Sequence, residues 1–139
     1  MRLPTGLTGT AGEYYVAAEP PRRGWLATVT SKKAPGTDVL AQNLVTKRTV
    51  AIQTKTSSGG RSFSLHPRDA LTYDPDPGWM ILVGLGSLEE RPTFFVIPRC
   101  HLATTPHKDS TRLAMTRDAF VGYQDGWDLL TDAPDRLRT

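Results

Sequence analysis

The sequence predicts one α/β or α+β domain built around a small sheet of about five strands. The chain has 139 residues, enough for a single domain with its own core. A helix-start motif precedes a double proline near the amino terminus, and short runs rich in β-branched and apolar residues follow it. The single cysteine, Cys100, excludes an intramolecular disulfide framework and a cysteine-rich zinc module.

The first predicted element is a helix at residues 10–19. Thr10 and Glu13 have the spacing of a capping box, with Thr10 as the N-cap and Glu13 three residues later. Pro20 and Pro21 end this helix, because each lacks a backbone N–H and each ring clashes with the preceding turn.

Strands separated by turn residues follow this helix. Residues 48–56 alternate, so that Val50, Ile52 and Thr54 share one face while Gln53 and Lys55 share the other. The other predicted strands are residues 25–31, 37–41, 62–65, 79–85 and 93–97, with a turn-rich loop at 74–78 and a short helix at 126–131. We expect residues 1–9 to be a loose leader, residues 10–131 the domain, and residues 132–139 a tail.

Charge is unevenly distributed along the chain. The net charge is +3, but residues 1–60 hold eight basic and three acidic residues, a balance of +5, which leaves −2 for the remainder. A basic half indicates a polyanion partner, although a solvated charged face would give the same composition. The longest apolar stretch, residues 80–85, is too short to span a bilayer, and no signal peptide is evident. We therefore expect a cytoplasmic protein with no membrane partner.

Five polar residues form a candidate metal and catalytic site. If Asp38 lies on the strand beside residues 48–56, its carboxylate sits close to Gln53 and Lys55. Mg²⁺ prefers oxygen ligands, so Asp38, the Gln53 amide oxygen and the Thr54 carbonyl are candidate ligands, with help from Glu13. Lys55 would orient the attacking water and stabilise the charge that develops on a phosphodiester.

The order of these residues resembles the PD-(D/E)XK nuclease superfamily, nearest its Mrr-type and archaeal-type Holliday junction resolvase branch. The matching segments are Gly12-Glu13, Arg23-Gly24-Trp25, Asp38-Val39-Leu40-Ala41 and Val50-Ala51-Ile52-Gln53-Thr54-Lys55-Thr56. The resemblance implies an α/β, restriction-endonuclease-like fold with a mixed sheet of about five strands flanked by helices. It also implies Mg²⁺ or Mn²⁺ dependence and hydrolysis of DNA, with Glu13, Asp38, Gln53 and Lys55 at the active-site positions.

Each of these residues also has an ordinary structural interpretation. Glu13 can simply be the second partner of the capping box, and Asp38 can stabilise a turn. Gln53 and Lys55 can form the solvent face of an edge strand. The set as a whole favours a metal-dependent endonuclease acting on DNA, and fold-level analogy favours a homodimer. Its candidate phosphate contacts are Arg22, Arg23, Lys32, Lys33, Lys47 and Arg48.

Two alternatives remain open at this point. One is a nucleic-acid-binding or partner-binding module that keeps the fold but does not cleave. The other is a structural or toxin/immunity-type interaction protein with no role on DNA.

Overall fold

The computed structural model describes residues 3–31, 36–65, 78–102 and 113–131, with side chains omitted for 113–119 and 131. Lys32, Lys33, the turn-rich loop at residues 74–77 and the predicted tail lie outside the described residues. The elements are α1 (Thr5–Ala18), β1 (Trp25–Val29), β2 (Val39–Asn43), β3 (Thr49–Ser57), β4 (Ser62–Leu65), β5 (Trp79–Gly84), β6 (Thr93–Pro98), α2 (Arg99–Leu102), β7 (Leu113–Thr116) and α3 (Asp128–Thr131), with 3₁₀ turns at Pro21–Arg23 and Arg117–Tyr123.

The main sheet has five strands in the order β1-β2-β3-β5-β6. β2 pairs antiparallel with both β1 and β3, β3 and β5 are parallel, and β5 and β6 are antiparallel. The strands therefore form a mixed sheet, and the predicted fold class is confirmed. β4 and β7 pair separately as a two-stranded antiparallel ribbon.

β3 changes its pairing partner halfway along its length. β2 pairs with β3 from Thr49 to Ile52, whereas β5 pairs with it from Ile52 to Ser57. Along Gln53–Ser57, β3 is therefore paired with β5 on one side and has left β2 on the other. Beyond Ile52, the edge of β3 that faces β2 is therefore no longer in the β2 ladder.

The predicted alternation of β3 is confirmed by burial. Val50, Ile52 and Thr54 are buried, while Gln53 and Lys55 on the opposite face are only partly so. Val50 and Ile52 belong to a core cluster that also includes Val16 of α1. A second cluster, formed by Met80 and Leu82 of β5 together with residues of β4 and β6, occupies the other side of the sheet. The three tryptophans, Trp25, Trp79 and Trp127, are all in the first cluster.

α1 begins five residues earlier than the sequence predicts. Its N-cap is Pro4, and the hydroxyl of Thr10 donates a hydrogen bond to the Gly6 carbonyl (2.9 Å), so Thr10 lies inside the helix instead of capping it. Gly and Thr are weak helix formers, and packing of α1 on β3 supplies the stabilisation that local propensity lacks. The helix does end at the double proline, where Gly24 adopts a left-handed φ of 84°.

Several elements in the second half have no counterpart in the prediction. These are α2, β7 and the 3₁₀ turn at Arg117–Tyr123, all of which follow the polar sequence beyond Pro98. The paired strands β5 and β6 and the short helix α3 were predicted and are present. No helix among the described residues is long and apolar enough to cross a membrane.

Candidate active site

Asp38 stands immediately before β2, at the point where β2 and β3 separate. Its backbone N–H donates to the Ile52 carbonyl (2.8 Å), and its own carbonyl accepts from the Thr30 N–H (2.9 Å). Its carboxylate turns to β3, where Oδ2 accepts the backbone N–H of Thr54 (2.8 Å) and the Thr54 hydroxyl (3.3 Å). The side chain of Asp38 thus takes the pairing position on β3 that the backbone of β2 no longer fills.

Gln53 and Lys55 flank Thr54 on β3. Both are partly buried and lie on the same face of the strand, as the two-residue period of a strand requires. Gln53 has interactions with its surroundings. Its amide oxygen, Oε1, is nonetheless buried and accepts no hydrogen bond from the described residues. A buried acceptor of this kind is costly unless something else satisfies it, such as water or a cation.

Glu13 lies on α1, which packs closely on β3. Gly12 packs directly on Thr56, and a Cβ added to Gly12 would overlap the Thr56 hydroxyl and lie 2.9 Å from its Cβ. Only glycine permits this approach. The next residue, Glu13, is partly buried. Because Gly12 contacts Thr56, the helical turn that carries Glu13 borders the second half of β3.

The oxygen atoms in this region match the ligands that Mg²⁺ prefers. Hydrogen bonds from the described residues reach only Oδ2 of Asp38, which leaves Oδ1 available, and Oε1 of Gln53 is the second unsatisfied oxygen. The described part of the chain contains no group of three or more His, Cys, Asp or Glu side chains able to hold a metal ion. Among the described residues, the candidate oxygen donors at this point of β3 are therefore the carboxylate of Asp38 and the amide oxygen of Gln53.

Arg22 and Arg23, two of the predicted phosphate-binding residues, both form ion pairs with a buried carboxylate. Glu19 is only 6% exposed. It accepts from Arg23 (2.6 Å), Arg91 (2.7 Å) and Arg22 (3.3 Å). Burial raises the pKa of Glu19, but hydrogen bonds from Arg23 and Arg91 and their positive charges outweigh it, so the pKa lies below its ordinary value. Three guanidinium groups around one carboxylate leave this cluster with a net positive charge.

The two arginines differ in how much of the side chain remains outside this cluster. Arg23 also donates to the Glu19 carbonyl (3.1 Å) and stacks over the Trp127 ring at 5.0 Å from its centroid. Its side chain is 33% exposed, against 65% for Arg22. Arg23 is therefore part of the packing, while Arg22 presents its guanidinium to the surroundings.

Lys47 and Arg48 lie at the turn between β2 and β3. Lys47 is exposed and has a left-handed φ of 64°. Arg48 is partly buried, and its guanidinium donates to the Leu130 carbonyl (3.5 Å). The four predicted basic residues that the structure describes thus lie on two separate turns, one after α1 and one before β3.

Sequence reasoning missed two features of this region. The Thr54 hydroxyl holds Asp38, whereas only the Thr54 carbonyl was considered as a ligand. Arg91, 72 positions from Glu19, completes the arginine cluster, and no local pattern indicates such a distant pair. Arg22 and Arg23 follow Glu19 by three and four residues, which is the spacing of helical ion pairs. This spacing could have indicated the two local ion pairs of the cluster.

The fold is restriction-endonuclease-like, as the sequence resemblance implies. The structure is similar to that of a bacterial homing endonuclease, I-Ssp6803I, with a TM-score of 0.64 and 14% identity, covering 91% of this chain and 92% of the other. It is also similar to Hjc, a Holliday junction resolvase from the archaeal hyperthermophile Archaeoglobus fulgidus, with a TM-score of 0.50 and 10% identity, covering 77% of this chain and 89% of the other. No family model matches the sequence, and no curated protein matches it either.

Proposed function

We propose that this protein is a metal-dependent endonuclease that hydrolyses phosphodiester bonds of DNA. The observation that carries the proposal is the attachment of Asp38 to Thr54, which sets a carboxylate on β3 between Gln53 and Lys55. The nuclease fold shared with the homing endonuclease and the resolvase supports the same reaction.

The residues of the site divide into metal-holding and charge-stabilising groups. Asp38 through Oδ1, Gln53 through Oε1, the Thr54 carbonyl and Glu13 are the candidate ligands of Mg²⁺ or Mn²⁺. When bound, the ion supplies Lewis-acid polarisation of the phosphodiester and a lowered pKa for a coordinated water. The Lys55 ammonium donates hydrogen bonds to the attacking water and stabilises the negative charge that develops on the phosphoryl oxygens.

DNA binding in this proposal uses the basic residues outside the site. The exposed Arg22 and Lys47, together with Lys32, Lys33, Arg23 and Arg48, are the proposed contacts to the phosphate backbone. Cleavage of both strands of a duplex by one small domain requires two copies, so the proposal includes a homodimer.

A cleavage assay on supercoiled, single-stranded and branched DNA, with Mg²⁺, with Mn²⁺ and with EDTA, tests this proposal. Wild-type protein should convert supercoiled DNA to nicked product only when a divalent ion is present. Asp38→Asn and Lys55→Met, which keep the shape of each side chain, should each lower the rate by 100-fold or more, on the order of the loss of one electrostatic contact to a transition state. Leu88→Asn, at a side chain 98% exposed, is the control that should leave the rate unchanged.

The outcome that contradicts the proposal is equally specific. DNA cleavage that survives both Asp38→Asn and Lys55→Met, or that persists in EDTA, would place the activity elsewhere or in a contaminant. Thermal melting of each variant shows whether a loss of rate reflects a loss of folded protein.

One observation favours a second candidate, a DNA-binding module of the same fold that does not cleave. Glutamine at position 53 removes a negative charge, and the described residues contain no cluster of three acidic or other metal-ligating side chains. In that case the protein binds DNA with a steep salt dependence and no variant or metal ion produces nicked product.

A further inference from the structure

A cleft lined with hydroxyl groups shares Lys55 with the candidate active site and extends beyond it. Its volume is about 310 Å³. It lies between the first turns of α1, the end of β3 and the strand β4. Thr5 and Thr8 line it from α1, Lys55 and Ser57 from β3, and Ser62 and Ser64 from β4.

The lining of this cleft suits an anion. Among the described residues that line it, most carry a hydroxyl group, none is acidic, and Lys55 is the only charged one. Hydroxyl groups and lysine ammonium groups are common donors to the phosphate oxygens of nucleic acids. The first turn of α1 also contains no acidic residue and no side-chain cap, so nothing there opposes a negative charge.

The position of the cleft relates it to the candidate active site. Lys55 belongs to both, and Ser57 lies two residues further along β3, roughly 6.6 Å at the rise of an extended strand. This step is comparable to the separation of neighbouring phosphates in one nucleic-acid strand. A DNA strand that places one phosphodiester at Asp38 and Lys55 would thus place its next phosphodiester in the cleft.

We propose that this cleft binds the phosphodiester adjacent to the one that is cleaved, and so fixes the register of the DNA strand on β3. The proposal rests on the proposed function, since it takes the reacting phosphate to lie at Asp38. Thr5 and Thr8 donate from the helix side, Ser62 and Ser64 donate from β4, and Lys55 supplies the positive charge shared by both phosphates.

Ser62→Asp tests the cleft, because it places a carboxylate where a phosphate would bind. Ser62 is exposed on β4, so the folded structure accommodates the change. Binding of a short fluorescent duplex oligonucleotide is measured in EDTA, and kcat and KM for plasmid nicking are measured in Mg²⁺. Ser62→Asp should weaken binding by about tenfold or more and raise KM by a similar factor, since like charges in contact disfavour binding.

Two matched variants separate this effect from a general change in charge. Ser62→Asn keeps a neutral polar group and should bind within about threefold of wild type. Leu88→Asp adds the same charge at a fully exposed position in the loop between β5 and β6, and should weaken binding far less than Ser62→Asp. Equal losses for Ser62→Asp and Leu88→Asp would overturn the proposed subsite.

The measurements also distinguish failure of the subsite from failure of the proposed function. Metal-dependent nicking with an unaltered KM in Ser62→Asp would contradict the subsite and leave the endonuclease proposal intact. Loss of binding specific to Ser62→Asp in a protein that never nicks DNA would show that the cleft contacts DNA, but it would contradict the endonuclease proposal and, with it, the place of the cleft next to a cleaved phosphodiester. Wild-type protein that binds no DNA at all would contradict both.

Discussion

Two groups of Thr54 donate hydrogen bonds to the same carboxylate oxygen, Oδ2 of Asp38. They are the Thr54 backbone N–H, at 2.8 Å, and the Thr54 hydroxyl, at 3.3 Å. The backbone donor belongs to β3 itself, so the orientation of the carboxylate is tied to the strand that carries Gln53 and Lys55. Mutation of a residue that orients a metal ligand typically lowers metal affinity or activity by about 10- to 100-fold.

Thr54→Val removes the hydroxyl donor and keeps the backbone donor and the side-chain shape. We expect about tenfold lower cleavage activity at limiting Mg²⁺, because Asp38 is held less firmly. Thr54→Ser restores the hydroxyl and should recover most of the loss. Titration of the cleavage rate with Mg²⁺ measures the effect, and a valine variant with an unaltered Mg²⁺ curve would show that the hydroxyl has no role in orienting Asp38.

Gln53→Glu restores an acidic group at the position where Oε1 is buried without a hydrogen-bond partner among the described residues. Because a carboxylate is a stronger ligand for Mg²⁺ than an amide oxygen, the half-saturating Mg²⁺ concentration should fall, by about tenfold. Gln53→Leu has a similar size and no oxygen, and should raise that concentration. Identical Mg²⁺ curves for all three proteins would remove residue 53 from the ligand set.

Gly12→Ala should destabilise the protein, because the added methyl group meets the Thr56 side chain. Overpacking of this kind costs about 1–3 kcal/mol, measured as the free energy of unfolding in urea. Gly9→Ala is the matched control on the same helix: no atom lies within 4 Å of its added Cβ, so the change should be stabilising by about 0.5–1 kcal/mol. The double variant Gly12→Ala/Thr56→Ala should recover part of the loss, and no recovery would show that the clash is not with Thr56.

The ion cluster at Glu19 predicts how stability depends on pH. The folded-state pKa of Glu19 lies below its ordinary value of 4.5. Folding therefore favours the ionised form of Glu19, and this carboxylate contributes to the free energy of unfolding. That contribution is complete above pH 4.5 and is lost as the pH falls through the folded-state pKa. Glu19→Gln should cost about 2 kcal/mol at neutral pH, as expected for hydrogen bonds to charged groups. In urea unfolding, the cost should shrink below pH 4.5, and a cost that is constant across the acid range would contradict the assignment.

Arg22 and Arg23 should differ in their effects on folding and on DNA binding. Arg23→Ala removes the contacts with Glu19 and Trp127 and should lower the unfolding free energy by about 1–3 kcal/mol. Arg22→Ala, at a largely exposed side chain, should change it by less than about 0.5 kcal/mol. If Arg22 contacts phosphate, its removal lowers the slope of log K against log salt by about one. An unchanged slope would exclude that contact.

The fold was largely predictable because its strands carry a strong pattern. The alternation of Val50, Ile52 and Thr54 identified β3 and its two faces, and the double proline identified the end of α1. The beginning of α1 was not predictable, since residues 5–10 are glycine, threonine and leucine, and the packing of Gly12 on Thr56 is a tertiary effect. β7 escaped detection because it pairs with the distant β4 instead of a neighbour in sequence.

The candidate site was predictable as a set of residue types but not as a set of contacts. The spacing of Gln53 and Lys55 placed them on one face, and Asp38 lies immediately before the adjacent strand β2. The attachment of Asp38 to Thr54 depends on where β2 leaves β3, and sequence does not show that point. In the same way, Arg91 joins Glu19 only through the folded chain.

The change of partner along β3 restricts how this protein can evolve. Inserting or deleting one residue near Gln53 would exchange the two faces of the rest of the strand, because side chains alternate with a period of two. Lys55 would then be directed toward the core that Val50 and Ile52 help to build, and Thr54 would lose its place beside Asp38. A change in the length of β3 would therefore disrupt the candidate active site and the hydrophobic core together.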